Sequence, residues 1–242
     1  MEDKNTSFYK KNGYLITNIF SSSDIKILKN EVKKKIFQVT KKKIDLSIYH
    51  KTTSEEENSR ITKNNKRFIN VSNKILKKIY NNKKVSQILM SCWGHSKFIM
   101  PDQKYLIGKI KKTNKKNLKK NEVQFRIVIP KKSQTTITAS PPPHVDINAA
   151  KITKKIINGK KIMNTSKIQL TLWTPLVGFS KKYTLRLAPG THKYNHPVNK
   201  ISNNNTKYVS PVFNKQYYQK FRFKRFELKK GQSILFDGNL IH

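Results

Sequence analysis

The tetrapeptide Pro143-His144-Val145-Asp146 decides how this chain is interpreted. It predicts a proline-led start to a β-strand, and residues two apart in a strand point to the same face. One ion can therefore bind both His144 and Asp146. A second imidazole, His242, lies 98 positions after His144, beyond the strand-like run at residues 232–236. Two histidines and one carboxylate on one side of an ion are typical of non-haem Fe(II) oxygenases, because positions stay open for oxygen and a co-substrate.

The metal-site interpretation competes with chance, since a His-x-Asp pattern alone is a weak signal. Three observations favour it. Asp146 is one of only six aspartates in the chain. The segment follows a strand-like run and a proline-rich turn, where a site at the mouth of a barrel is expected. A later run reaches a histidine just after Asp237-Gly238-Asn239. Three protein ligands, rather than four, would leave the ion accessible.

Length and composition predict one soluble domain. The chain has 242 residues, and its 36% hydrophobic and 10% aromatic content lies largely in strand-like and helical runs. The single cysteine, Cys92, excludes an internal disulfide and fits a reducing compartment. No apolar run reaches the length of a signal peptide or a membrane span. We therefore expect a cytoplasmic protein.

The net charge of +39 has two explanations. A nucleic-acid or anionic-membrane binder would carry such a charge. However, 46 of the 52 cationic residues are lysines, and the chain also has 24 asparagines and 27 isoleucines but only four alanines. These preferences match A/T-rich codons, and phosphate-binding proteins would use more arginine for bidentate contacts. Codon bias is the favoured explanation, and nucleic acid is not an expected partner.

Periodicity divides the chain into a helical part, residues 1–95, and a strand-rich part, residues 97–242. Residues 8–20 predict a helix end, a glycine turn and a short strand. Apolar residues at helical spacing predict a helix over 24–38 and one or two helices over 70–90, whereas the polar stretch 40–66 predicts a long loop. These two stretches, 24–38 and 70–90, supply the predicted helical cover.

The second part predicts short strands at 98–100, 105–107, 122–130, 168–176 and 183–188, and a last strand pair over 226–236. Helices followed by many short strands indicate a mainly β fold with helical cover, and a jelly roll is the closest match. We expect one domain, 1–242, with the jelly-roll core at 97–242.

Other candidate residues have structural explanations beside functional ones. His192 follows the Pro189-Gly190 turn and is expected to brace it, while His196 is expected in solvent. Trp173 lies on the more polar side of its strand, where it walls a pocket or belongs to the core. The segment at 217–226 alternates aromatic and basic residues. This pattern fits a strand with one buried face better than a nucleic-acid surface.

Four stretches give the chain a family likeness. They are Phe8-Tyr-Lys-Lys-Asn-Gly-Tyr-Leu-Ile16, His144-Val-Asp146, the span from Leu172-Trp-Thr-Pro to Ala188-Pro-Gly-Thr-His-Lys193, and the span from Lys229-Lys-Gly-Gln to Leu240-Ile-His242. In order and spacing they resemble the phytanoyl-CoA dioxygenase-like branch of the Fe(II)/2-oxoglutarate oxygenases. The sequence is also similar to a bacterial branch found in surface-carbohydrate gene clusters, which would give a sugar-linked substrate.

The resemblance implies a double-stranded β-helix that binds Fe(II) through His144, Asp146 and His242. It also implies 2-oxoglutarate and O2 as co-substrates, hydroxylation of a small or carbohydrate-linked molecule, and an aromatic residue near the co-substrate at Trp173. The family's arginine beyond the second histidine has no counterpart here. Arg126, on one strand face with Gln124, is the candidate to bind the far carboxylate. Either the chain is a fragment that lacks the closing strands, or the cation comes from elsewhere. We expect weakened or absent activity for this polypeptide as it stands.

Two alternatives remain open at this stage. One is a basic, non-catalytic nucleic-acid-binding module, which would show steeply salt-dependent binding. The other keeps the barrel and the metal but changes the chemistry to a cupin-like isomerase, which would turn over without oxygen.

Overall fold

A computed structural model describes residues 3–62, 68–93, 122–124, 143–146, 170–194, 196 and 213–242. The helices are α1 (Lys4–Asn12), α2 (Ser22–Thr40), α3 (Tyr49–Thr52), α4 (Glu55–Thr62), α5 (Asn73–Tyr80), α6 (Lys83–Trp93) and α7 (Lys215–Tyr218). The strands are β1 (Tyr14–Asn18), β2 (Phe68–Asn70), β3 (Glu122–Gln124), β4 (Leu170–Trp173), β5 (Arg186–Leu187), β6 (Lys224–Arg225) and β7 (Gln232–Asp237). None of these helices is both long and apolar enough to cross a membrane.

Local capping chemistry sets the limits of α1. Asp3 accepts hydrogen bonds from the backbone of Asn5 and Thr6, which satisfies amides that have no partner within the helix. Gly13 ends the helix in the left-handed conformation, with φ of 79°, and β1 starts at the next residue. The helix end, glycine turn and short strand predicted over residues 8–20 are thus confirmed.

Helix α2 confirms the amphipathic helix predicted over 24–38. Ser21 and Asp24 form a capping box, in which each side chain accepts from the other residue's backbone N–H. The buried apolar residues of α2 lie on one face: Ile25, Leu28, Val32 and Ile36. This face packs against α3, α4, α5 and Val71, which follows β2. Lys78 of α5 donates to the Asp24 carboxylate, which ties the two helices together.

The long loop predicted over residues 40–66 is wrong for two segments, which form α3 and α4. Tyr49 and Ile61 are almost fully buried in the same cluster as α2. These two anchors lie twelve positions apart, so they leave no readable helical period in the sequence. Tertiary packing, rather than a local pattern, stabilises these short helices.

One antiparallel sheet in the order β1-β7-β4 joins the N-terminal helices to the rest of the described chain. Leu15 of β1, Leu235 of β7 and Leu172 of β4 lie opposite one another. Because opposite residues share a face, these leucines form a helical face. They pack against side chains of α1 and α6, namely Tyr9, Val85, Ile88 and Leu89.

The other side of this sheet, which we call the inner face, carries bulkier and more polar side chains. Its register places Trp173 opposite Ile234, and Thr171 opposite Phe236. Tyr14 of β1 also faces Phe236 across the sheet. The inner face packs with Leu187, Leu228 and Leu240. The alternation predicted for the strand at 168–176 is confirmed over Leu170–Trp173, because Leu170 and Leu172 point to the helices.

Two shorter sheets complete the described strands. β2 pairs with β3, with Phe68 opposite Gln124, and β5 pairs with β6, with Arg186 opposite Arg225. The strand predicted at 183–188 is reduced to Arg186–Leu187, since Tyr183 and Thr184 form a turn. Of the pair predicted over 226–236, the strand after Gly231 is confirmed as β7, whereas residues 226–230 form no strand.

The chain therefore has antiparallel sheets with helices before them, as predicted. Strands predicted at 98–100 and 105–107, and most of 122–130, lie outside the described residues. The complete jelly roll and the division at residues 95–97 stay predictions.

Candidate metal centre

His144 and His242 are brought together by a backbone pair. The N–H of His144 donates to the carbonyl of His242 at 3.0 Å, and the N–H of His242 donates to the carbonyl of His144 at 3.0 Å. Residues that exchange both hydrogen bonds are direct antiparallel neighbours and point their side chains to one side. The two imidazole centroids are 4.2 Å apart. The distant histidines thus meet as the sequence predicted.

Asp146 completes the group. Its Oδ1 atom lies 3.9 Å from Nε2 of His144 and 3.7 Å from Nε2 of His242. Each of the three residues offers one ligand atom, and these atoms all lie within 4.8 Å of one another. In the described part of the chain, no other cluster of three or more His, Cys, Asp or Glu side chains meets that distance. This group is therefore the candidate metal centre.

Neighbouring groups orient two of the three side chains. Thr171 of β4 donates its hydroxyl to Oδ2 of Asp146 at 2.8 Å, so Oδ1 is the oxygen directed towards the imidazoles. Nδ1 of His242 lies 3.0 Å from the carbonyl oxygen of Leu240. A carbonyl only accepts, so the ring hydrogen is on Nδ1 and the lone pair is on Nε2. Such outer partners set the tautomer and direction of metal-binding histidines and carboxylates.

The centre is largely protected from solvent. The side chains of His144 and His242 are 8% and 6% exposed, whereas that of Asp146 is 25% exposed. Phe236 of the inner face stacks at a tilt against His242, with centroids 4.8 Å apart. The side of the centre formed by Asp146 is thus the most exposed to solvent, and a small molecule can reach the centre from that side.

The strand predicted to start at residues 143–146 is wrong beyond one residue pair, because His144 pairs only with His242 and Asp146 lies in a turn. A small apolar cluster lies beside the ligands. Val145 and Ile241 point away from their histidine neighbours and are fully buried with Ala188 and Phe213. This cluster packs against the backbone segments of His144 and His242 on the side opposite their imidazoles. It also explains why apolar residues stand between and beside the ligands in the sequence.

Trp173 lies two residues after Thr171, on the same face of β4, and is half-buried. It contacts the inner-face cluster, so both of its predicted roles are compatible with its position. Gln124 lies in β3 opposite Phe68, in the sheet that does not contain β4 or β7. Arg126 lies outside the described residues.

His192 and His196 have structural partners. Nε2 of His192 lies 3.1 Å from the carbonyl of Lys10 in α1, so His192 braces its turn against that helix, as predicted. The solvent position predicted for His196 is wrong. Its Nδ1 lies 2.8 Å from the hydroxyl of Tyr217, and its Nε2 lies 3.1 Å from the carbonyl of Asn239. Burial lowers the pKa of both imidazoles, which favours their neutral forms.

The aromatic and basic segment predicted as one strand over 217–226 is wrong for most of its length. Its first two residues end α7, which begins at Lys215, and residues 224–225 form the short strand β6. The alternation in burial is nevertheless present, since Phe221 and Phe223 are half-buried and Arg222 and Lys224 are exposed. The two phenylalanines pack against the cluster that contains Val145 and Ile241.

Sequence reasoning missed three residues that support the centre: Thr171, Thr191 and Asn239. Thr171 shared a strand face with Trp173 and could have been found from that alternation. Thr191 lies within the Pro-Gly-Thr-His-Lys turn and Asn239 within Asp-Gly-Asn, but no local pattern shows that these turns touch. Their contacts depend on the tertiary structure.

No curated protein sequence matches this chain significantly. The family model described as phytanoyl-CoA dioxygenase (PhyH) matches residues 9–242, which include the three clustered side chains and the inner-face strands. The match covers nearly the whole chain and agrees with the likeness stated from the motifs. The chain therefore belongs to the phytanoyl-CoA dioxygenase (PhyH) family.

Proposed function

We propose that this protein is an Fe(II)/2-oxoglutarate-dependent hydroxylase of a small or carbohydrate-linked molecule. The observation that supports it most is the convergence of His144, Asp146 and His242. Two imidazoles and one carboxylate form the donor set of non-haem Fe(II) oxygenases, so the residues present fit the metal. Membership of the PhyH family agrees with oxygenase chemistry.

Each side chain has a defined part in this proposal. His144, Asp146 and His242 would hold the ion, and bound Fe(II) would activate O2, the oxidant for both the decarboxylation of 2-oxoglutarate to succinate and the hydroxylation of the substrate. Thr171 keeps one carboxylate oxygen engaged, so the other stays available as a ligand. The Leu240 carbonyl keeps the His242 proton on Nδ1.

The surroundings are proposed to bind the co-substrate and exclude water. Phe236 covers one side of the His242 ring. Trp173, on the same inner face, is proposed to line the 2-oxoglutarate site. Gln124 and Arg126 are proposed to contact the far carboxylate, since a guanidinium pairs with a carboxylate in a bidentate manner.

A binding experiment tests the proposal without requiring turnover. Fe(II) and then 2-oxoglutarate are added to the protein under anaerobic conditions, and the visible spectrum is recorded. We expect a weak charge-transfer band in the unmodified protein, which His144→Ala abolishes because it removes one of three ligands. Ser72→Ala, at the cap of α5, is a control that should keep the band. A spectrum unchanged by 2-oxoglutarate in the unmodified protein would contradict the proposal.

A cupin-like isomerase is a second candidate, because it would use the same three metal ligands. The oxygenase consumes O2 and forms succinate from 2-oxoglutarate, whereas the isomerase does neither. Oxygen-electrode and succinate measurements with candidate sugar-linked substrates separate the two.

A further inference from the structure

We infer that Thr191 and Asn239 are positioning residues that hold His242 in its metal-binding place; this inference rests on the proposed metal-binding function. Neither residue is among the three ligands. Both connect the turn at residues 189–194 to the backbone that leads into His242. The turn would therefore act on the metal centre through hydrogen bonds rather than by direct contact.

Thr191 uses both functions of its hydroxyl. Its Oγ1 donates to the carbonyl of Ala188 at 2.7 Å and accepts from the N–H of Ile241 at 3.0 Å. Thr191 is only 2% exposed, so water cannot easily replace either bond. The carbonyl of Ile241 in turn accepts from the N–H of Ala188 at 2.9 Å. Both polar backbone groups of Ile241, the neighbour of His242, are thus bound by this one segment.

Asn239 fastens the same two segments three residues before His242. Its side-chain amide donates to the carbonyls of His192 and Tyr194, each at 2.8 Å. Its backbone N–H donates to Asp237 Oδ1 at 2.8 Å, which closes the turn after β7. Only a group with two N–H donors and this short reach satisfies both carbonyls.

His196 extends the network to α7. It links the carbonyl of Asn239 to the Tyr217 hydroxyl. The segment around α7 also donates from the Phe213 N–H to the carbonyl of Pro143, beside His144. The segment at Pro143-His144 and the segment at residues 239–242 are therefore both hydrogen-bonded to the region around α7.

The consequence for metal binding is geometric. The backbone of His242 is paired with that of His144. Thr191 and Asn239 fix the position of residues 239–241, which precede His242. Loss of the second support would let the imidazole leave the position in which it lies 3.7 Å from Asp146. Loss of a direct hydrogen-bond partner of a metal ligand typically weakens metal affinity by about 10–100-fold. Thr191 and Asn239 act through the backbone next to His242, so we expect the lower end of that range.

Thr191→Val tests the inference because valine keeps the shape and removes the hydroxyl. We expect Co(II) affinity, measured by titration of the absorption spectrum, to fall at least about 10-fold. Amide exchange at Ile241, measured without metal, should become faster. Thr191→Ser, which restores the hydroxyl, should recover both. Asn239→Asp should weaken Co(II) binding more than Asn239→Ala, because it places acceptors against two carbonyls.

Thr184→Val is the matched control. The hydroxyl of Thr184 also donates to a carbonyl and accepts an N–H, both of Phe226, and Thr184 is similarly buried. It lies away from the three ligands, so its loss should lower stability and leave Co(II) affinity unchanged.

The outcomes separate the two proposals. Equal losses of affinity in Thr191→Val and Thr184→Val, or no loss in Thr191→Val, would overturn the positioning role while metal binding by the unmodified protein still supports the metal centre. If the unmodified protein binds no Co(II), the proposed function and this inference both fail. Unchanged Ile241 exchange in Thr191→Val overturns the positioning role regardless of metal.

Discussion

The two faces of the β1-β7-β4 sheet are built from different interactions. On the helical face, leucines of the sheet are buried against α1 and α6. Within each of these helices, the contacting residues are close in the sequence. The inner face meets segments that are far apart in the chain and are joined by single hydrogen bonds, such as Thr171 to Asp146. Apolar burial is tolerant of small shifts, whereas hydrogen bonds and metal ligands depend on direction. Stability and metal affinity should therefore respond to different substitutions.

Gly13 lies where these two regions meet. It ends α1, and its carbonyl accepts from the N–H of Asp237 at 2.9 Å at the end of β7. A Cβ atom at this position would overlap the ring of His192 and lie 2.9 Å from Leu240. The glycine thus lets the helical part approach the turn that supports His242.

The largest effect is expected from Ile88→Ala on the helical face. Ile88 is fully buried, and removal of a buried aliphatic side chain costs about 2–5 kcal/mol of unfolding free energy. Urea unfolding measures the loss. Co(II) affinity of the folded molecules should stay unchanged, because no ligand contacts this cluster. Met90→Ala, at an exposed position of α6, is the control with little effect. A matching fall in Co(II) affinity would show that the two regions are not separable.

Gly13→Ala should affect both regions. A non-glycine residue in the left-handed conformation costs about 1–2 kcal/mol, and the overlap with His192 adds to this. We expect a lower unfolding free energy and weaker Co(II) binding, since the displaced turn carries Thr191. Gly178→Ala is the comparison, because Gly178 also has positive φ but contacts Tyr183 instead. Full Co(II) affinity in Gly13→Ala would show that the turn tolerates displacement.

Asp237→Asn gives the smallest effect, and it depends on pH. Burial raises the pKa of the Asp237 carboxyl from 3.8 to about 6. The folded state therefore binds this proton more tightly than the unfolded state. The contribution of Asp237 to the free energy of unfolding falls as pH rises from about 4 to 6, and it stays at its lowest value above pH 6. Asp237→Asn should therefore be neutral near pH 3.5 and stabilising by about 2 kcal/mol at pH 8.

Urea unfolding of both forms across this range provides the measurement. Asp45 is a useful contrast, because hydrogen bonds from Ser47 lower the pKa of its carboxyl. Asp45→Asn should lose stability, rather than gain it, as pH rises. A gain for Asp237→Asn that is the same at every pH would rule out the linkage.

Local patterns predicted the elements whose causes are local. The helix over 24–38 was readable because its cap residues and four apolar positions follow helical spacing, and all of these appear in α2. The glycine turn before β1 was readable because few other residues adopt that conformation. Helices α3 and α4 were missed because their buried anchors contact α2 across space rather than along the sequence.

The candidate centre shows the same division. The spacing of His144 and Asp146 predicted a shared face, and the histidine after the strand-like run at residues 232–236 supplied the third member. The turn containing Thr191, the hydroxyl of Thr171 and the solvent-shielded place of His196 were not readable. A side chain that bonds a side chain 25 residues away, or a backbone group 50 residues away, leaves no periodic signal.

The sequence by itself determined the alternation and capping that create one apolar and one polar side in elements such as α2 and β4, because those depend on neighbours within a few residues. It also contained the three ligand types. Only the tertiary structure decided that residues 144 and 242 exchange backbone hydrogen bonds and that Asp146 turns one oxygen towards both imidazoles. The physical reason is that directional bonds between distant segments form only after apolar packing has brought those segments within about 3 Å.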